Sequence, residues 1–272
     1  MENVCIIGAG AAGCLAAIEL KRRSPGTSVT VLEAGPRPLA KVALTGGGRC
    51  NLTNTFACVG DLREAYPRGF RLMKGALRAF GPEDTMRWFE DAGVRLVEED
   101  VGRIFPASGD AMEIVRTLLR EMKRLGVEIR CRTRVTGIQP CAGGYSLTVE
   151  EAVAGGQGPK DCSKEPSRGM QSSQPRRPAT ASAVLVATGG GNIAFLTPLN
   201  LAIEPPVPSL FTMKTGDAGL KALMGTVAPD AVLSLPGTPF RSAAPLLLTD
   251  WGLGGPATLK LSSYALWEAP PE

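Results

Sequence analysis

The stretch Gly8-Ala9-Gly10-Ala11-Ala12-Gly13 decides the fold of this chain. It follows the short apolar run Val4-Cys5-Ile6-Ile7, a strand by length and β-branching, and precedes Cys14 to Arg23, where Leu15, Ile18 and the alanines recur at helical spacing until Ser24-Pro25-Gly26. The glycines therefore occupy a strand-to-helix turn. In such a turn Gly8 permits the tight bend, Gly10 lets backbone approach a pyrophosphate and Gly13 lets the helix pack closely on the strand. The helix N-terminus, Ala11 and Ala12 included, aims unpaired N–H groups and a positive dipole end at an anion. A glycine fingerprint alone is weak in a chain with 33 glycines. Its context strengthens it: a second apolar strand, Ser28 to Leu32, ends in Glu33, at the distance of about 20 residues where dinucleotide folds hold the carboxylate for the adenosine ribose. An acid there disfavours a 2′-phosphorylated dinucleotide. The turn itself is compatible with NAD, FAD or S-adenosylmethionine.

Beyond the turn Glu33-Ala34-Gly35-Pro36, Lys41 leads into Thr45-Gly46-Gly47-Gly48-Arg49-Cys50-Asn51-Leu52-Thr53-Asn54. Such a run makes neither a stable helix nor a core, but it can present backbone N–H groups, amides and hydroxyls to a polar ligand. It reads as the cover over the other half of the cofactor.

These segments resemble the BaiN/YhiN-like family of FAD-dependent oxidoreductases, the aminoacetone-oxidase type, and the GGGRCN-x-TN run is the specific part of the resemblance. It implies FAD, with Glu33 and Ala34 at the adenosine ribose and Lys41, Thr45, Gly46, Gly47, Arg49, Cys50 and Asn51 near the pyrophosphate, ribityl chain and flavin ring. It implies also that backbone at Val135 meets adenine and that Thr188-Gly189, after the strand Val184 to Val186, returns beside the cofactor. The Gly102-Arg103-Ile104-Phe105-Pro106 stretch matches the family as well, with Arg103 facing substrate or closing a salt bridge. Thr249 to Ala257 matches with two departures: Asp250 where relatives carry His, and Gly254 where they carry Ser. The implied fold is α/β, a glutathione-reductase-type Rossmann FAD-binding domain over residues 1–197 with an inserted, mainly β second domain over 198–272. Measured against the family pattern the chain reads as C-terminally truncated, so that second domain is expected to be incomplete.

The elements between these motifs are read as follows: a helix over Asp61 to Phe80, a helix from Glu83 with Trp88 and Phe89 in the core, a strand Val94 to Val97, and a helix Ala111 to Leu125 with Ser108 as N-cap. Val127 to Cys131 and Val135 to Ile138 read as a strand pair, and Tyr145 to Glu150 as a hairpin strand. Residues 153–180 are polar and charged, too poor in apolar side chains to offset ordering entropy, and read as a disordered hairpin insertion. Val184 to Val186 reads as a buried strand. Pro205 to Thr212, Val232 to Gly237 and Pro245 to Leu248 read as strands of the second domain, with Pro256 opening a helix.

Composition bounds the function. The 272 residues, 44% hydrophobic and 21% charged, suit a soluble globular protein. A net charge of +4 argues for neither nucleic acid nor a membrane surface, so the expected partner is a small molecule. Seven cysteines without regular spacing suit reduced thiols in a cytoplasmic protein. With no histidine there are no His triads and no His-ligated metal, and no metal site is expected. The expected activity is hydride transfer through flavin N5, with NADH or NADPH as donor and a conjugated ketone or small amine as substrate. The alternatives are a nucleotide-binding protein without turnover and a methyltransferase. Cys50 lacks a CxxC partner and reads as a packing residue near the flavin. No catalytic residue and no oligomeric state is assigned.

Overall fold

The alternating side chains of β1 (Asn3–Ile7) hold the first part of the chain together. Ile6 points to one face and Cys5 and Ile7 to the other, as the two-residue period of a strand requires. The computed structural model describes residues 2–154, 170–175, 179–190, 193–204 and 207–268. Two compact units divide the chain: Met1–Cys58 with Gly75–Ala202, and Val59–Lys74 with Ile203–Glu272.

After β1 come α1 (Ala11–Arg23), β2 (Ser28–Leu32) and β3 (Thr53–Asn54). Two helices, α2 (Leu62–Ala65) and α3 (Phe70–Ala79), precede α4 (Pro82–Asp91), β4 (Leu96–Glu99), β5 (Arg103–Pro106) and α5 (Ala111–Arg124). The unit continues through β6 (Glu128–Arg130), β7 (Thr133–Cys141), β8 (Gly144–Ala154), β9 (Met170–Pro175), β10 (Ala179–Ala181) and β11 (Ala183–Val186).

The central sheet is parallel, in the order β11-β1-β2-β6. On one face Ile6 and Val31 pack against α1, α4 and α5 through Ile18, Phe89, Ile114, Leu118 and Met122. On the other, Cys5, Ile7 and Leu32 meet Val135, Ile138, Leu147 and Val149 of the antiparallel β10-β8-β7 sheet. Helices, parallel sheet and antiparallel sheet thus form three layers around two apolar cores. A small β3-β5-β4 sheet stands beside them. This is a Rossmann-type α/β unit.

Several expected elements differ. The single helix over 61–80 is broken: Tyr66 precedes Pro67 and leaves the helical region, and Gly69 is left-handed at φ +71. Val127 to Cys131 and Val135 to Ile138 do not pair, because Arg132 turns at φ +57 and sends β6 to the parallel sheet and β7 to the antiparallel one. The strand expected at Val94 starts at Leu96. Asp110, not Ser108, caps α5, accepting the Met112 N–H at 2.8 Å, while the Ser108 hydroxyl donates to Glu113. β11 is half exposed rather than buried, with Leu185 at 43%, since β1 is its single partner at the sheet edge among the described residues. Of the expected disordered insertion, Met170–Pro175 forms β9 against β8, and residues 155–169 and 176–178 lie outside the described residues.

In the second unit β12 (Met213–Lys214), α6 (Ala218–Ala222), β13 (Val227–Ser234), β14 (Arg241–Leu248) and β15 (Gly252–Gly254) precede α7 (Gly255–Glu268). The sheet is antiparallel in the order β12-β15-β14-β13. Of the strand expected over Pro205 to Thr212, residues 207–212 form no strand, and residues 205–206 lie outside the described residues. Ala257, Thr258, Leu261 and Ser262 of α7 are buried, and Tyr264 stacks on Phe240 with ring centroids 4.5 Å apart. Arg68 ties the 59–74 segment to this unit by donating to the Ser263 carbonyl at 2.6 Å.

Candidate functional site

The three glycines of the first turn do different work. Gly8 is left-handed at φ +105, and a Cβ there would stand 2.6 Å from the Ala187 carbonyl oxygen, where the chain leaves β11. At Gly13 a Cβ would come within 2.0 Å of the Gly8 carbonyl oxygen, so α1 reaches the strand turn only without a side chain. Gly10 is the N-cap of α1, with φ −81, and a Cβ there would meet no atom of the described residues within 4 Å. The first two glycines are demanded by the chain itself. Gly10 is not, and it faces open space at a helix N-terminus that carries neither a side-chain cap nor an acidic residue in its first turn. Ala11 and Ala12 are exposed there. Uncapped N–H groups, the dipole end and space for an anion coincide, which fits the pyrophosphate of a dinucleotide.

Glu33 stands at the end of β2, its two oxygens each already engaged. Oε2 accepts the Ala9 N–H at 2.9 Å and Oε1 the Gly35 N–H at 2.6 Å. The carboxylate fastens the glycine turn to the following loop, a role that spacing alone did not reveal. Each oxygen keeps a further lone pair for a ribose hydroxyl. Arg132 and Thr133 N–H groups donate to the Gly35 and Glu33 carbonyls, both at 2.8 Å. They thereby bring the start of β7 alongside exposed Ala34; Val135, two residues on, is 7% exposed with its side chain in the core.

The Lys41 to Asn54 loop is seated on the same turn. The Leu39 N–H donates to the Ala9 carbonyl at 2.7 Å, and Leu39 is buried at φ +57. Thr45 is then extended, and Gly46 and Gly47 are both left-handed, at φ +58 and +68, a succession suited to glycine. The loop closes on itself through Cys50 N–H to the Thr45 carbonyl at 2.9 Å and rejoins β5 through Leu52 N–H to the Ile104 carbonyl at 2.8 Å. Lys41, Thr45, Gly46, Gly47 and Asn51 are exposed, while Cys50 is buried. Arg49 pairs with Glu99 and lies 4.4 Å over the Phe105 ring, so its guanidinium braces the loop against β4 and β5.

A cavity of about 290 Å³ lies where these segments meet. Ala11, Ala12, Thr45, Cys50 and Asn51 line it, together with Leu15, Val42, Leu52, Thr85, Phe89, Ile114 and Leu118. It thus gathers five of the residues singled out from sequence. Gly8, Gly10, Gly13, Glu33, Ala34, Lys41, Gly46, Gly47, Arg49, Val135, Thr188 and Gly189 are outside its lining. Its volume is at the lower end of ligand pockets, enough for part of a dinucleotide. The α4 and α5 residues were missed because their apolar spacing reads as ordinary helix packing. Thr188 is half-buried and Gly189 is left-handed at φ +62; both follow Ala187, whose N–H donates to the Ile7 carbonyl at 2.8 Å.

The buried thiols are poor nucleophiles. Burial, with Glu33 adding to it, pushes Cys14 up to about 12, and burial pushes Cys5 up to about 11. Cys50 is also raised by burial, with a Thr45 hydrogen bond opposing. Arg103 donates to the Asp100 carbonyl at 3.1 Å rather than to a carboxylate. In the second unit Asp250 is exposed.

Residues 2–157 match the HI0933-like protein Rossmann domain, and residues 207–270 match the HI0933-like protein barrel and H2TH domain. The chain is 30% identical over 275 residues to a ribosomal RNA dihydrouridine synthase of Haemophilus influenzae (strain ATCC 51907 / DSM 11121 / KW20 / Rd), covering 97% of this chain and 61% of that protein. It is 30% identical over 263 residues to the Escherichia coli (strain K12) protein of the same name, covering 96% and 60%. To the 3-dehydro-bile acid delta(4,6)-reductase of Clostridium scindens (strain ATCC 35704 / DSM 5676 / VPI 13733 / 19) it is 24% identical over 271 residues, covering 97% and 60%. The chain therefore spans about three fifths of the length of these relatives. With the Rossmann match over more than half its length, the chain belongs to the HI0933-like family, of BaiN/YhiN type.

Proposed function

We propose that this chain is the FAD-binding portion of a reductase that adds hydride and a proton across a carbon–carbon double bond conjugated to a carbonyl, with the uracil ring of RNA as its substrate class. The observation that carries the cofactor reading is the open space at Gly10, before an uncapped, acid-free helix N-terminus against which the Lys41 to Asn54 loop is seated. Ala11 and Ala12 N–H groups would bind the pyrophosphate, Glu33 the adenosine ribose and backbone near Val135 the adenine. Thr45, Gly46, Gly47 and Asn51 would hold the ribityl and ring end, with Thr188 and Gly189 beside it and Lys41 at the rim. When bound, FAD supplies the redox chemistry. The loop's own part is to exclude water and present N–H groups to negative charge on the ring.

The substrate class rests on the names of the relatives. Dihydrouridine differs from uridine by two hydrogens across one ring double bond, and a delta(4,6)-reductase saturates ring double bonds, so one chemistry covers both. The two relatives at 30% identity favour the uracil ring over the steroid. NADH or NADPH would donate the hydride, and a cytoplasmic setting suits reduced thiols. This chain has no histidine, so any proton that it supplies itself would come from another group type or from water that it holds. The test is to incubate the FAD-loaded chain with NADH or NADPH and a uridine-containing RNA. A gain of two hydrogens on uridine by mass spectrometry supports the proposal. FAD binding without any such gain, or with reduction only of small enones, contradicts the RNA substrate.

A further inference from the structure

We propose that the basic face of α3 is a contact surface for the phosphodiester backbone of RNA, an inference that rests on the RNA substrate proposed above. Between Ala65 and Pro82 the chain carries Arg68, Arg71, Lys74 and Arg78 and no Asp or Glu. These four positive charges equal the whole net charge of +4, so the remainder of the chain is neutral in sum. The average hid a concentrated patch.

Arg71, Lys74 and Arg78 are spaced i, i+3 and i+7 on α3, which places them within about 60° of one another around the helix. All three are exposed, and none takes part in an ion pair among the described residues. Their neighbours differ: Arg63 pairs with Asp61 at 2.7 Å and Arg87 with Asp84 at 3.8 Å. The helix buries no residue; Phe70, Met73 and Leu77 are half-buried on the adjacent face, which leaves the basic face to solvent. A Cβ at Gly75 would meet nothing within 4 Å among the described residues, so the helix surface at that position is open. Two guanidinium forks and an ammonium without carboxylate partners are suited to phosphate oxygens rather than to a neutral or apolar ligand. A surface of this kind positions a strand without reading its bases.

The test is fluorescence anisotropy of a labelled single-stranded uridine-containing RNA with the FAD-loaded chain between 50 and 200 mM salt. Each phosphate contact to a single strand contributes about −0.7 to the slope of log K against log salt. The variant R71A/K74A/R78A, all changes to a strong helix former, is expected to bind at least tenfold more weakly at 100 mM salt and to flatten the slope by about 2. R71K/R78K, which keeps the charges, is expected to retain the slope. Flavin absorbance and the far-ultraviolet circular dichroism of each variant report cofactor and fold; K74E alone serves if the triple variant does not fold, with at least a threefold loss expected. Unchanged affinity and slope in the folded, FAD-loaded variant overturn the proposal. So does a wild-type chain that holds FAD and binds anionic lipid vesicles but no RNA. Failure of the wild-type chain to hold FAD counts instead against the flavin reading.

Discussion

Gly13 and Glu33 are the residues on which the turn depends most. Gly13→Ala would set a methyl group 2.0 Å from a backbone oxygen that cannot move without parting α1 from β1. A loss of about 3 kcal/mol or more, or failure to fold, is expected in a denaturant titration. Glu33→Ala removes acceptors from the Ala9 and Gly35 N–H groups and is expected to destabilise by about 1–3 kcal/mol. The thiols give an independent check. Exposed Cys58 and Cys141 are expected to react with a thiol reagent at pH 8 in the native protein, whereas Cys5, Cys14 and Cys50, buried and with raised pKa values, react only on unfolding. Peptide mapping of the labelled sites distinguishes the two groups.

At the scale of elements, α1 and α5 are joined through Glu121, which is 8% exposed and accepts Arg124 at 2.8 Å and Arg22 at 3.2 Å. The Arg124 hydrogen bond, then that of Arg22, holds its carboxyl below the ordinary carboxylate value. Its contribution is therefore full above the unfolded value of about 4.3 and is lost as pH falls through the lower folded value. Glu121→Gln is expected to lower stability by about 1–2 kcal/mol at pH 7, the arginines being partly solvated, with the difference from the parent shrinking below about pH 4. Elements whose signals are local were legible in sequence. The β1 turn, α1 and the apolar stripe of α5 follow from short-range spacing, as does the start of α7 near Pro256. Elements fixed at a distance were not: whether β6 pairs with β2 or with β7 depends on the left-handed Arg132, a conformation that no residue preference announces. The edge position of β11 depends likewise on which strands join the sheet, not on its apolar composition. In the candidate site the glycine turn was legible from local spacing, while the hydrogen bonds of Glu33 to Ala9 and Gly35 and the α4 and α5 wall of the cavity required folded neighbours.

For the molecule as a whole, the parallel sheet with a helical layer on one face and an antiparallel sheet on the other brings the glycine turn, Glu33 and the Lys41 to Asn54 loop to the ends of β1 and β2. Ligands of open α/β sheets lie at those strand ends. No helix among the described residues is long and apolar enough to cross a membrane. Gly10 separates a turn built for a dinucleotide from one built for packing alone, since its side-chain space holds no protein atom among the described residues. The most direct measurement is an FAD titration, followed by flavin absorbance, of the wild-type chain and of Gly10→Ala, with the thermal midpoint of each recorded alongside. The expected result is FAD binding by the wild-type chain and at least tenfold weaker binding by Gly10→Ala, with apo-protein stability changed by no more than about 1 kcal/mol. Equal FAD affinity in the two proteins, or no FAD binding by the folded wild-type chain, would contradict it.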